Sequence, residues 1–194
     1  MLGTCAAAEH GRDQRLLHRR DGGYARQMRT EPATQDHFAA ILDLNDEFVE
    51  VLAPLTLERL ELLHSRASYH RLAIDRDGVA GFVLAFGSQA RHDSVNFRWF
   101  AARYPSFLYV DRVVVSARCQ GGGVGSLLYK DVFAFARREG YERVTCEIDT
   151  DPPNPRSERF HDRFGFREVG SQQVEYERGT PVRVSLRSVK LVHD

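Results

Sequence analysis

Apolar residues recur at helical spacing over Phe38, Ile41, Leu42, Leu44 and Phe48, behind a Thr34 able to cap a helix. The third position after that cap is His37, so the acidic partner of a full capping box is missing. Pro54 interrupts the chain, and Thr56 then caps a second short helix whose stripe is Leu57, Leu60 and Leu63. Residues 69–74 and 79–86 read as two strands joined by Asp75-Arg76-Asp77-Gly78, an antiparallel hairpin. The aromatic stretch within 88–106 fits a short helix or a pocket-lining loop equally well. Residues 107–115 are apolar at nearly every position, as a central strand covered on both faces must be. Val124, Leu127, Leu128, Val132 and Phe135 give the buried stripe of a long helix that Gly140 ends. Residues 144–148 form a second central strand, 157–163 a short helix, and 166–174 with 182–189 a closing antiparallel pair. This order predicts a three-layer α/β fold with a central mixed, mainly antiparallel sheet flanked by helices.

Composition narrows the class. The length, 194 residues, suits one domain, expected over 31–194. Residues 1–30 carry six arginines and almost no spaced apolar residues, and are expected to be a poorly ordered extension. Their first 23 residues lack the apolar core of a secretory signal, and no apolar run approaches bilayer-spanning length, so no membrane partner is expected. The formal net charge of zero argues against nucleic acid. Cys5, Cys119 and Cys146 have neither metal-motif nor disulfide spacing, which fits a reducing cytoplasm. Arginine far outnumbers Lys130 and Lys190, a skew that points to the codon composition of a GC-rich bacterial genome. The histidines and carboxylates make no compact metal-ligand pattern, so no metal is expected.

The chemistry centres on Gln120-Gly121-Gly122-Gly123-Val124-Gly125, between the apolar strand and the long helix. A strand, a glycine-rich turn and a helix N-terminus make an anion cradle of converging backbone N–H groups. The turn lies too far along the chain for a dinucleotide fold, and no Gly-Lys-Ser/Thr follows to make a nucleotide-triphosphate loop.

Gln120, Gly123 and Gly125 match in type and spacing the acyl-CoA motif of the GNAT-type N-acetyltransferases (Gcn5-related N-acetyltransferase superfamily), which the segment resembles. Phe160-His161-Asp162-Arg163-Phe164-Gly165-Phe166 resembles that family's second signature, and together the resemblance spans about residues 32–190. It implies an acetyltransferase with acetyl-CoA as co-substrate. Backbone groups at Val113 and Val115 would pair with the pantetheine arm. Those of Gln120, Gly121, Gly122, Gly123, Val124, Gly125 and Ser126 would hold the pyrophosphate, with Asn154 and Ser157 also near the cofactor.

Transfer to an amine needs a base, a polarised carbonyl and a proton for the departing thiolate. The resemblance implies that the central strands part at the thioester, where a backbone N–H near Val113 polarises the carbonyl. Glu147, Asp111 and Asp149 are the carboxylates near that gap, with Glu147 favoured as a direct or water-relayed base and Asp111 second. His161 stands where many relatives carry the tyrosine that protonates the thiolate. Histidine can take that role, with Tyr129, Tyr109 or water as alternatives. Cys146, within a strand, reads as a small hydrophobe.

An aromatic wall of Phe97, Trp99, Phe100 and Tyr104, with carboxylates at Asp46, Glu47 and Asp111, would suit a small primary amine. A peptide amine is the alternative acceptor. An acyl-CoA-binding sensor or accessory protein without turnover is the competing function, and a homodimer through the closing strands fits the architecture.

Overall fold

The computed structural model describes residues 28–49, 52–151, 153–175 and 181–192. The expected N-terminal extension lies outside them except for its last three residues. Two of these, Arg29 and Thr30, already belong to the first strand, β1 (Arg29–Pro32). That four-residue strand has no alternating pattern. It is extended because it pairs antiparallel with β2 (Tyr69–Asp75), from Arg29↔Ile74 to Pro32↔Arg71. Pro32 is tolerated because β1 is the edge of the sheet.

Helix α1 (Phe38–Asp46) follows a 3-10 turn at Gln35–His37. Here the Thr34 N–H donates to His37 Nδ1 at 3.1 Å, so a histidine supplies the reciprocal half of the capping box that glutamate usually supplies. Helix α2 (Leu57–Arg66) is capped as expected, with the Arg59 N–H donating to Thr56 Oγ1 at 3.2 Å. Leu60 and Leu63 are buried, but Leu57, in the first turn, faces solvent. The hairpin joins β2 to β3 (Gly78–Gly87) with Gly78 at φ 110°, and the Asp77 N–H donates to Asp75 Oδ1 at 2.9 Å.

The ambiguous aromatic stretch is helical, as α3 (Val95–Ala101). Ser94 Oγ accepts from the Asn96 and Phe97 N–H groups at 3.1 and 3.3 Å, an N-cap that decides for helix over loop. The remaining elements are β4 (Leu108–Val115), α4 (Val124–Arg138), β5 (Arg143–Asp151), α5 (Pro155–Arg163), β6 (Arg167–Glu175) and β7 (Pro181–Lys190).

The seven strands run in the order β1-β2-β3-β4-β5-β7-β6, and the β4–β5 pair is parallel while the others are antiparallel. The sheet is therefore mixed and mainly antiparallel, as expected. Alternation along the strands feeds two cores. Phe82, Leu84, Phe86, Tyr109 and Val114 meet Phe38 and Ile41 of α1, Leu60 of α2 and Phe97 and Phe100 of α3. Val83, Ala85, Leu108, Val110 and Val113 meet Val124, Leu128, Tyr129 and Val132 of α4, with Phe160 of α5 packed alongside. Each buried large side chain contributes about 1.5–3 kcal/mol, so both helical layers are held firmly to the sheet.

Two irregularities shape the middle. β4 and β5 are paired only at Leu108↔Val144 and Tyr109↔Thr145, although they continue to Val115 and Asp151. Beyond Tyr109 they part. In the same region the β3–β4 register steps from Leu84↔Arg112 to Ala85↔Val110, leaving Asp111 as the extra residue of a β-bulge.

Candidate active site

The glycine turn is built as the sequence requires. After β4 a 3-10 turn at Ala117–Cys119 leads into Gln120, and the Gly122 N–H donates to the Cys119 carbonyl at 3.1 Å. Gly121 and Gly123 sit at φ 76° and 85°, left-handed conformations that favour glycine. The first helical bond of α4 runs from the Leu127 N–H to the Gly123 carbonyl at 2.9 Å. The amides before it, on Val124, Gly125 and Ser126, are those an α-helix leaves without an internal acceptor. Gly125 allows close packing, because a Cβ there would lie 3.2 Å from the Phe160 ring and 3.7 Å from Val115.

The strand register orients the neighbouring backbone. The Ser116 N–H donates to the Ala80 carbonyl at 2.9 Å, so alternate residues of β4 bond to β3 while Val113 and Val115, opposite Val83 and Gly81, do not. Their main-chain N–H and C=O groups point away from β3, toward the side from which β5 has diverged. Asn154 and Ser157 lie together at the start of α5, where the Ser157 N–H donates to Asn154 Oδ1 at 3.0 Å.

Glu147 and Asp111 occupy the face of the sheet that carries α1–α3, and both are fully buried. The Tyr109 hydroxyl donates to Glu147 Oε1 at 2.8 Å and lies 3.4 Å from Ser94 Oγ. Burial, followed by the charges of Glu147 and Asp111, pushes the Tyr109 hydroxyl well above its ordinary pKa, so it remains a donor. Asp149, two residues on from Glu147, is half-buried toward the outer end of β5.

Asp111 lies in a different setting. His92 Nε2 stands 3.0 Å from Asp111 Oδ1, and Arg112 Nε stands 3.6 Å from Oδ2. The Ser94 N–H donates to His92 Nδ1 at 3.1 Å, which places the proton of the neutral ring on Nε2, facing Asp111. Burial alone would raise the Asp111 carboxyl, but His92 and Arg112 outweigh it and the pKa is lowered. Arg112 also donates to Asn45 Oδ1 and to the Ala53 carbonyl, tying β4 to α1 and the chain beyond it.

His161 lies on the opposite face, among Tyr129, Phe160 and Phe166. Its Nδ1 donates to the Ser157 carbonyl at 2.7 Å, and its Nε2 meets the Tyr129 hydroxyl at 2.7 Å. A carbonyl can only accept, so the neutral ring carries its proton on Nδ1 and accepts from Tyr129. The fold thus brings Glu147 and Asp111 to one face and His161 to the other.

Several partners were not apparent in sequence. His92 and Ser94, in the ambiguous stretch, are the groups that orient Asp111 and touch Tyr109. The adjacent charges Asp111-Arg112 inside an apolar strand were the available signal, since buried charges require partners. The expected aromatic wall is mostly core. Phe97 and Phe100 pack on Phe107 and Tyr109, Arg103 stacks on Trp99 and Arg143 on Tyr104. Cys146 is buried on the α4 side. Among the described residues no group of three or more His, Cys, Asp or Glu is placed to hold a metal ion. Nor is any helix among them long and apolar enough to cross a membrane.

A profile of the Acetyltransferase (GNAT) family matches residues 38–166. A phosphinothricin N-acetyltransferase of Streptomyces coelicolor is 26% identical over 155 residues, covering 75% of this chain and 85% of the relative. Among solved structures, yncA of Salmonella typhimurium with its cofactor acetyl-CoA matches with a TM-score of 0.65 at 21% identity, over 87% of this chain and 96% of that one. A GCN5-related N-acetyltransferase of Kribbella flavida matches with a TM-score of 0.64 at 20% identity, over 86% and 99%. At these identities the two structures speak to the fold.

Proposed function

Because the chain belongs to the Acetyltransferase (GNAT) family, we propose that it moves an acetyl group from acetyl-CoA to a primary amine by direct attack, with a small molecule as the acceptor. The observation that carries this reading is the coincidence of the glycine cradle with the parting of β4 and β5. Acetyl-CoA would run along the outward-turned backbone of Val113 and Val115. Its pyrophosphate would rest on the amides from Gln120 to Ser126, with Asn154 and Ser157 close to it at α5.

In the reaction the amine nitrogen bonds to the acetyl carbon as the C–S bond breaks. The amine proton passes to Glu147, directly or through one water, while Tyr109 holds the carboxylate in place. A main-chain N–H near Val113 stabilises charge developing on the carbonyl oxygen. Asp111, kept charged by His92 and Arg112, biases the field at the bulge. The thiolate takes its proton from the His161–Tyr129 pair, through the Tyr129 hydroxyl. Exchange with solvent then resets both groups.

The burial of His161, with both ring nitrogens engaged, favours one second reading, an acyl-CoA sensor that binds without turnover. Thiol release from acetyl-CoA, measured against small amines, amino acids, polyamines and short peptides, separates the two. Turnover with a small-amine class is expected. Tight binding without release for every acceptor would favour the sensor, and turnover confined to peptides would reassign the acceptor.

A further inference from the structure

Two acidic side chains grip the segment that leads into the cradle. Glu47, just past the end of α1, accepts from the Ala117 N–H at 2.9 Å, and Ser116 Oγ lies 3.3 and 3.4 Å from its two oxygens. Asp75, at the end of β2, accepts from Arg118 through both guanidinium NH2 groups, at 2.7 and 3.0 Å. Carboxylates so near an anion site in the chain oppose anion binding electrostatically. Their presence therefore needs another reason, and their hydrogen bonds supply one. The 3-10 turn at Ala117–Cys119 has no cap from its own N-terminal residue, Ser116. Glu47 provides that cap from a different element.

We infer that Glu47 is a positioning residue for the glycine cradle, capping the turn at Ala117–Cys119 from α1 and setting the direction in which Gln120–Gly125 leaves β4. The cap acts on the backbone of Ala117, three residues before Gln120. The Gly122 N–H closes back on the last residue of the same turn, Cys119. A shift of the turn is thus passed to the amides of the cradle. Asn45, two residues before Glu47, accepts from Arg112. The C-terminal end of α1 therefore grips β4 at Arg112 and the chain just beyond β4 at Ser116–Ala117, on either side of Val113 and Val115. Through these two contacts the helix on the acceptor side sets the backbone on the cofactor side. The inference rests on the acetyl-CoA reading of the cradle.

Three substitutions separate acceptor capacity, charge and reach. Glu47→Gln removes the charge but keeps an oxygen that can accept from Ala117. Glu47→Asp keeps the charge but withdraws it by one methylene. Glu47→Ala removes both. Titration calorimetry with acetyl-CoA is expected to show the Gln variant within about twofold of the unsubstituted protein. The Ala and Asp variants should bind about tenfold more weakly, the scale of a lost cap. Thermal unfolding checks that each variant is folded, as expected for substitutions at the exposed Glu47. Undiminished affinity in folded Ala and Asp variants overturns the inference. So does an equal change in Gln and Ala, which would make charge the cause. Failure of the unsubstituted protein to bind acetyl-CoA is a separate result, and it overturns the reading of the cradle itself.

Discussion

Acidification should destabilise this protein through one buried histidine. His70, on β2, is buried beside Phe82, and its Nδ1 lies 2.9 Å from Nδ1 of His64 on α2. A single proton between these two nitrogens satisfies both. A second would set two N–H groups against each other in the core. Burial, then the charges His64 and His37 would carry, lowers the His70 pKa from 6.5 to about 3. The folded value lies below the unfolded one, so the unfolded chain binds the extra proton. Stability from this group is fully present above about pH 6.5 and is lost as pH falls toward about 3. Between about pH 7 and pH 5 the loss comes to about 2 kcal/mol, by RT ln(1 + 10^1.5) less the small share already titrated at pH 7. Urea unfolding at both pH values, for the unsubstituted protein and for His70→Gln, measures it. The variant is expected to lose about 2 kcal/mol less than the parent over this interval, whatever its absolute stability. Equal losses in the two proteins would mean that His70 titrates in the folded state, and would refute the reasoning.

Glu147→Gln keeps an acceptor for the Tyr109 hydroxyl but cannot take a proton. Its kcat should fall about 10²-fold or more with acetyl-CoA affinity within twofold, and an unchanged rate would remove Glu147 as the base. Gly170→Ala on β6 would place a Cβ 2.4 Å from the Trp99 ring and press α3 off the sheet. Stability should drop by about 1–3 kcal/mol, read by thermal or urea unfolding, and an unchanged midpoint would show that Trp99 moves aside freely.

The apolar runs that became β2, β3, β4 and β5 were legible because alternation and continuous burial leave plain patterns, and α4 because its stripe lies between two glycine signals. β1 was not legible: Arg29-Thr30-Glu31-Pro32 is a strand only because β2 offers it an edge. The parting of β4 and β5 has no local signature either. Both strands are apolar, and the residues where pairing stops, Tyr109 and Thr145, look like their neighbours; the family resemblance raised that expectation. Side-chain partners were hardest to read. Asp111 and Arg112 stood out as charges in an apolar strand, yet His92, Asn45 and Ala53 reach them only through tertiary packing. Glu47 looked like a ligand for a cationic acceptor. Its position beside the Ala117 amide depends on where α1 ends relative to β4, which no window of sequence records.

The most direct test of the central claim is acetyl-CoA binding by calorimetry, comparing the unsubstituted protein with Gly123→Val. Nothing lies within 4 Å of a Cβ at this position, so the substitution acts through the backbone, at φ 85°. It should cost about 1–2 kcal/mol of strain, leave the fold detectable by its cooperative melt, and abolish measurable acetyl-CoA binding. Undiminished affinity in a folded Gly123→Val protein would contradict the assignment of this cradle to the acetyl donor.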